Sequence, residues 1–436
     1  MEICLSVYRP RRPRLSPLYR VVSQHLEEFL RVYEERFAPR HGPLRPVVER
    51  VLREFLTCGL PEHGFARAWC GKCRRSYLIP YSCRGRSFCP SCEKKHSLQW
   101  AEWLQQEVLE PVPHRHVTVT IPRLLRPTFR RRRELLRDLA QCASEAIGTY
   151  LQHSLGRGVR PGVVVSIATA GDLLQWHPHL HILATDGAFC ADGTFLPLEG
   201  WDGEALMRLF REALLGRLVD RHAISPELKE KLLAWRHPGF STHVGEPISP
   251  EAPRIIEDMA SYLVRNPLSL KRLVYVDGEH AVVYRALKPN PRLGQNFVAM
   301  DPLEWLARMA DHIPDPGKHR TLFYGHYANR ARGARAKGNG PPEGELGQAP
   351  KKRRCRASWA GLISKVYRVD PLRCRGCGGK LQIVAYINDH FAIKKILAHL
   401  GLSPPEKQRP PPEVRYVPLD EEGRELAAVA ETFDSP

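Results

Sequence analysis

"GVVVSIATAGDLLQWHPHLHILAT", residues 162–185, decides the fold. Its first eight residues are a nearly continuous run of small and β-branched side chains, "AGDLLQ" is rich in turn formers, and "HLHILAT" resumes the apolar pattern. Two adjacent strands joined as a hairpin are predicted. Alternate side chains of a strand share a face, so His179 and His181 point one way while Leu180 and Ile182 point to the buried side. At about 3.3 Å per residue the two histidine Cα atoms lie about 6.6 Å apart, close enough for both Nε2 atoms to converge on one cation. His177 shares that parity, but Pro178 is expected to break the ladder beside it. The same pattern also describes a surface strand whose histidines bind nothing.

Outward from the hairpin, "HVTVTIP" (116–122) reads as a strand and "RRELLRDLAQCASEAIGTYLQHSL" (132–155) as a helix. Residues 202–234 are helical in pattern, as is "SPEAPRIIEDMASYLVRN" (249–266), with Ser249 as cap and Pro267 closing it. "RLVYVDGEHAVVYRAL" alternates around Asp277-Gly278, a hairpin signal. Together these describe an α+β domain over 112–312 built on an antiparallel sheet. Before it stand two helices within 1–57 and a cysteine-rich module at 58–111. After it, 313–356 is Gly-, Pro- and charge-rich and reads as a basic linker. A small CxxC unit at 357–402 and a loose tail at 403–436 complete the chain.

With 436 residues the chain exceeds one compact core. Its 66 Lys and Arg against 47 Asp and Glu leave a formal charge of +19, which favours a polyanionic partner. No apolar run approaches the roughly 20 residues needed to span a bilayer, and the N-terminus lacks a signal-peptide core. The expectation is a cytoplasmic, nucleoid-associated protein with no membrane partner. Twelve cysteines in such a compartment point to metal rather than disulfides, the more so because six fall between Cys58 and Cys92.

"CGKC" (70–73) and "CPSC" (89–92) form a CxxC…CxxC pair, so Cys70, Cys73, Cys89 and Cys92 are expected to bind one structural Zn²⁺ in a closed tetrahedron. Cys58, His63, Cys83 and His96 are surplus ligands nearby. Cys374 and Cys377 form a second CxxC with no partner downstream; Cys355, His390 or His399 are candidates to complete it, and a half-ribbon without metal is the alternative. Arg67, Lys72, Arg74, Lys94 and Lys95 give the module a basic face, for phosphate or simply for water.

A complete reaction centre needs a nucleophile. On the 251–266 helix the apolar face runs Ile255, Met259, Tyr262, Leu263 and Asn266, and Tyr262 and Asn266, four apart, lie one above the other. Packed beside the histidines, that face delivers a phenol and an amide to them; otherwise Tyr262 is an ordinary packing aromatic. Arg123, Arg126, Arg130, Arg265, Lys271 and Arg272 offer a basic path for nucleic acid, with Phe129 as a stacking platform.

The order of blocks "CGLPEHGFARAWCGKC", "SCRGRSFCPSC", "HLHILATDGAF", "YLVRNPL", "YGHY" and "RCRGCGG" resembles the rolling-circle transposases of the insertion-sequence-91 type, within the single-strand nucleases named for a His-hydrophobic-His motif. The resemblance covers most of the chain. It implies a nuclease fold with the histidine pair on a central antiparallel sheet, a tyrosine helix alongside and a zinc-binding domain in front. His179 and His181 would hold a divalent ion, Tyr262 would attack phosphorus, and a 5′-phosphotyrosine link to single-stranded DNA would result. Some relatives carry a second tyrosine four residues on; here Asn266 stands there, so a single-tyrosine scheme follows. Asn266 is then a candidate third metal ligand, with His177, Asp172 or His116 as alternatives. Few ligands and open positions point to Mg²⁺ or Mn²⁺. A replication initiator or relaxase, a non-catalytic zinc-dependent DNA-binding protein, and a zinc hydrolase are the competing readings.

Overall fold

A computed structural model of the chain describes residues 12–85, 87–235, 239–287, 296–337, 373–374 and 376–402. The hairpin forms as expected. Strands Gly162–Ala170 and Trp176–Thr185 pair antiparallel with Ser166 opposite His181 and Val165 opposite Ile182. They lie inside a five-stranded sheet ordered Thr321–Gly325, Gly162–Ala170, Trp176–Thr185, His114–Thr120, Ser241–Ile248, so the histidine strand is central. The ladder breaks at Pro178 as expected. Pairing with His114–Thr120 stops at His179, and against Gly162–Ala170 the register shifts so that His177 and Pro178 together oppose Thr169, a bulge on the histidine strand beyond which Trp176 still pairs with Ala170.

Period-two alternation gives the sheet two different faces. Val163, Val165, Ile167, Leu180, Ile182 and Ala184 pack on one side beneath the helices Leu135–Leu155 and Gly203–Asp220. On the other side Val164 and Leu183 meet Ala101 and Leu104 of the helix Pro90–Glu107, and Ile256, Ala260 and Leu263 of the helix Pro253–Leu263. Tyr327 is wholly buried in this second layer, its hydroxyl 2.7 Å from His114 Nε2 and accepting the Glu110 N–H at 3.1 Å. A Cβ on Gly162 would meet the Tyr327 ring at 2.5 Å, so only glycine leaves room for it.

Three expected boundaries are corrected. The segment read as a basic linker from 313 contains regular structure: Thr321–Gly325 is an edge strand and Asn329–Ala336 a helix, because Leu322, Phe323 and Tyr324 supply apolar contacts to the two sides of the sheet. The 112–312 unit is not self-contained either. The hairpin Leu273–Val276 and Ala281–Arg285, the strand Phe297–Met300 and the helix Pro302–Asp311 share one core with the N-terminal helices Pro17–Arg36 and Pro46–Thr57. Finally, the C-terminal strand Leu381–Ile387 joins Phe65–Cys70, with Arg75–Pro80 on its other side, in a three-stranded sheet. The C-terminal CxxC unit is thus part of the N-terminal module. The remainder of the expected linker, residues 338–356, and the tail at 403–436 lie outside the described residues.

His25, His114 and His312 are buried, and burial first of all pushes each down to about 4. The folded chain therefore holds them neutral while the unfolded chain takes up protons below about pH 6.5, so stability is complete above that pH and falls as pH drops towards 4. Urea midpoints measured across this window should decline with acidification, and His312→Gln should flatten the slope. Tyr327→Phe leaves His114 without its partner and should cost about 1–3 kcal/mol in the same assay.

Candidate active site and metal centres

Tyr262 reaches the histidines because of where its helix buries its apolar stripe. The buried residues are Ile256, Ala260 and Leu263, spaced four and three apart, which rotates the packing face by one residue from the one read in sequence; Ile255 is exposed. Tyr262, adjacent to Leu263, then sits at the rim, 39% exposed. Its ring centroid is 4.9 Å from that of His181 and 5.9 Å from that of His116, both edge-on. Ser166, directly opposite His181 in the ladder, donates its hydroxyl to the Leu263 carbonyl and so ties the helix end to the strand. Arg265 stacks over the Tyr262 ring at 5.0 Å.

The imidazoles form a row on this face. His177 and His179 have ring centroids 5.0 Å apart, and His179 and His181 4.9 Å. His179 Nδ1 lies 2.7 Å from the His177 carbonyl, an acceptor only, so Nδ1 carries the proton and Nε2 keeps its lone pair. His181 Nδ1 lies 3.2 Å from Nε2 of His116, on the neighbouring strand. Burial, then repulsion from His179, His116, Arg265 and Arg320, pushes His181 down to about 3. Burial, then Arg126 and His179, takes His177 to about 3 as well, and burial lowers His179 and His116. All four rings are neutral at pH 7, the form that binds metal. His177 Nε2 is a buried ring nitrogen with no hydrogen-bond partner, beside the pair.

Asn266 is not brought to the histidines. The helix stops at Leu263, with Val264 at φ −109°, ψ 19°, so the four-residue stacking assumed for Tyr262 and Asn266 does not exist. Its Oδ1 instead accepts the Leu268 N–H at 2.8 Å, and its amide donates to the Phe88 carbonyl at 3.4 Å. Asp172 is likewise engaged elsewhere, by Arg272 at 2.6 Å and the Leu287 N–H at 2.9 Å.

The basic path is thinner than the sequence suggested. Phe129 is fully buried in the sheet core and cannot stack on a base. Arg130 donates to the Arg40 carbonyl and lies 3.4 Å from Asp311, and Arg272 is spent on Asp172 and the Tyr284 ring. Arg126 lies beside His177 and His179 and lowers both; Arg123, Arg265 and Lys271 are exposed. Arg320 escaped the sequence reading. Held by Ser87 Oγ at 2.6 Å and Glu93 at 3.6 Å, it places a fixed positive charge near His179 and His181. Its position just before an edge strand carried no local signal.

The cysteines regroup. Cys58, Cys83, Cys89 and Cys92 gather in one place, and Cys70, Cys73, Cys374 and Cys377 in another, with the sulfurs of each set all within 4.8 Å of one another. The two CxxC turns expected to share one ion therefore lie in different clusters. In the first set Cys58 Sγ is 3.8 Å from Cys89 Sγ and 3.7 Å from Cys92 Sγ, and Cys83 Sγ is 3.7 Å from Cys92 Sγ. Four sulfurs about 2.3 Å from Zn²⁺ define a tetrahedron with edges of about 3.8 Å, so this set fits the ion. His63 and His96 join neither set.

Residues 23–121 match a family model described as a transposase zinc-binding domain, and residues 162–335 match one described as a putative transposase. The chain is 27% identical over 368 residues to the transposase for insertion sequence element IS801 of Pseudomonas savastanoi pv. phaseolicola, covering 80% of this chain and 86% of that one. It is 25% identical over 337 residues to the putative transposase y4qJ of Sinorhizobium fredii, covering 70% and 80%. No solved structure matches. No described helix is long and apolar enough to cross a membrane. Zinc-binding module, transposase module and relatives agree in order along the chain, which is similar to the insertion-sequence-91 family of transposases.

Proposed function

We propose that this transposase cleaves and rejoins single-stranded DNA through Tyr262. One observation carries the reading: an accessible phenol stands against a row of half-buried neutral imidazoles, with its helix end fastened to the strand beside them. The phenolic oxygen attacks phosphorus, its proton passing to solvent. The bond from phosphorus to the 3′-oxygen breaks, and that oxygen takes up a proton to become a free 3′-hydroxyl. The 5′-phosphate remains on Tyr262 as a phosphodiester, so attack by another 3′-hydroxyl restores a DNA bond without ATP. Arg265, over the phenol, and Arg320, behind the imidazoles, are placed to offset phosphate charge.

His179 and His181 would hold Mg²⁺ or Mn²⁺ through their Nε2 atoms. When bound, such an ion polarises a non-bridging phosphate oxygen. The chain's own part is to orient the two rings: the His177 carbonyl fixes Nδ1–H of His179, and His116 Nε2 is placed to accept Nδ1–H of His181. His116 is then a positioning residue rather than the third ligand. Zn²⁺ is structural in this reading, at Cys58, Cys83, Cys89 and Cys92.

Incubation with a single-stranded oligonucleotide and Mn²⁺ should leave a denaturant-resistant adduct on the 5′-phosphate side of the cut. Tyr262→Phe should abolish it, as should His179→Ala with His181→Ala; an adduct that survives Tyr262→Phe overturns the assignment, and no adduct with any oligonucleotide leaves a DNA-binding protein. His116→Ala should raise the Mn²⁺ concentration for half-maximal cleavage by about 10–100-fold, with partial recovery in His116→Gln, whose amide oxygen can still accept.

A further inference from the structure

Cys374 and Cys377 lie beyond residues 23–121 and 162–335, the segments matched by the zinc-binding and transposase family models. They nevertheless meet Cys70 and Cys73 across about 300 residues of chain: Cys70 Sγ is 3.5 Å from Cys377 Sγ, and Cys73 Sγ is 3.4 Å from Cys374 Sγ. We propose that these four thiols bind a second structural zinc, which closes a discontinuous ribbon from the two ends of the chain.

Disulfides are ruled out as an account of the cluster, since bonded sulfurs lie about 2.05 Å apart. The separations instead sit near the edge of about 3.8 Å for a zinc tetrathiolate. Each CxxC stands at a tight turn that aims two sulfurs the same way. Cys70 and Cys73 flank the turn between strands Phe65–Cys70 and Arg75–Pro80, and Cys374 and Cys377 precede strand Leu381–Ile387, where Cys70 pairs with Leu381. The second turn is closed by the Gly378 N–H on the Cys374 carbonyl at 2.9 Å, with Gly378 at φ +68°, a conformation suited to glycine. A Cβ on Gly379 would lie 3.3 Å from Cys377 Sγ and 3.4 Å from Cys70 Sγ, filling the cradle around the sulfurs. Tyr77 Oη lies 3.2 Å from Cys374 Sγ, placed to donate to a thiolate.

The physical need for an ion is plain from the packing. Among the described residues, Ala68, Cys70, Cys374 and Leu381 form the buried centre of this cluster, and Phe65, Ile393 and Leu397 form a second small one beside it. So small a core holds a three-stranded sheet poorly, and small modules of this kind depend on a metal or a cross-link. The first zinc differs in setting, since Cys58 and Cys89 belong to the large core shared with the N-terminal helices. The second ion is therefore the peripheral one, removable without unfolding the rest.

The full-length chain, purified without chelator, should carry two zinc ions by native mass spectrometry. Cys374→Ser with Cys377→Ser should carry one, Cys70→Ser with Cys73→Ser should also carry one, and all four together should still carry one, because both pairs serve the same ion. Hydrogen exchange in 65–80 should rise in each variant while exchange in 17–57 stays unchanged, which separates loss of the ribbon from loss of the fold. Co²⁺ substitution of the unmutated chain gives a readout independent of the variants, with two equivalents of tetrathiolate charge-transfer absorption. One ion in the unmutated chain, two in the Cys374/Cys377 variant, or a further loss on combining the pairs would overturn the proposal. Strand cleavage is not part of the readout, so the test stands apart from the role of Tyr262.

Discussion

The Ser87–Glu93 turn is the constraint on which the rest of the architecture leans. Cys89 and Cys92 from this segment, with Cys83 just before it, meet Cys58 from the end of the second long N-terminal helix, so one metal-sized knot fixes the entry to the helix that starts at Pro90. Ser87 is fully buried with φ +58°, an unfavourable conformation for a residue with a side chain. It is held there by its own N–H on Glu93 at 3.1 Å and by Arg320 on its hydroxyl. Phe88, also fully buried, packs edge-on against Phe55 with centroids 5.2 Å apart. A strained, buried polar turn survives because several independent contacts over-determine it.

From that turn the influence runs directly to the histidine row. The Phe88 carbonyl takes the Asn266 amide just past the tyrosine helix, and Glu93 and Ser87 hold Arg320, whose charge bears on His179 and His181. The helix that starts at Pro90 packs Ala101 and Leu104 against Ile256, Ala260 and Leu263. Zinc-binding module and histidine-bearing face are therefore joined through the helix Pro90–Glu107. Partial burial of the imidazoles under these layers lowers their affinity for protons and keeps them neutral.

Much of this was legible in one dimension because it rests on short-range rules. Alternation over 162–185 determined the hairpin and the shared face of His179 and His181, and the Asp277-Gly278 signal located the second hairpin. Helical spacing found the two N-terminal helices and the tyrosine helix. The same spacing misjudged the latter's orientation and end by a few residues: a stripe one position away is equally apolar on paper, and the Asn-Pro pair closes the helix with a local turn, not a stacked amide. Phe129 could be read as a platform for bases because an aromatic amid arginines looks exposed; only the sheet above it shows that it is core.

By itself, then, the order of residues determined which elements form, which side of the central sheet carries the histidines, and that clustered thiols serve metal. Only the tertiary structure decided which thiols gather together, that Tyr262 stands edge-on to His181, that His116 adjoins the pair while Asn266 is engaged by Leu268 and Phe88, and that Thr321–Gly325 completes the sheet. The division follows from distance along the chain. Strand parity and helix periodicity repeat within a few residues, whereas the partners of Cys70 and Cys73 are about 300 positions away, brought together by a sheet whose edges come from opposite ends of the sequence.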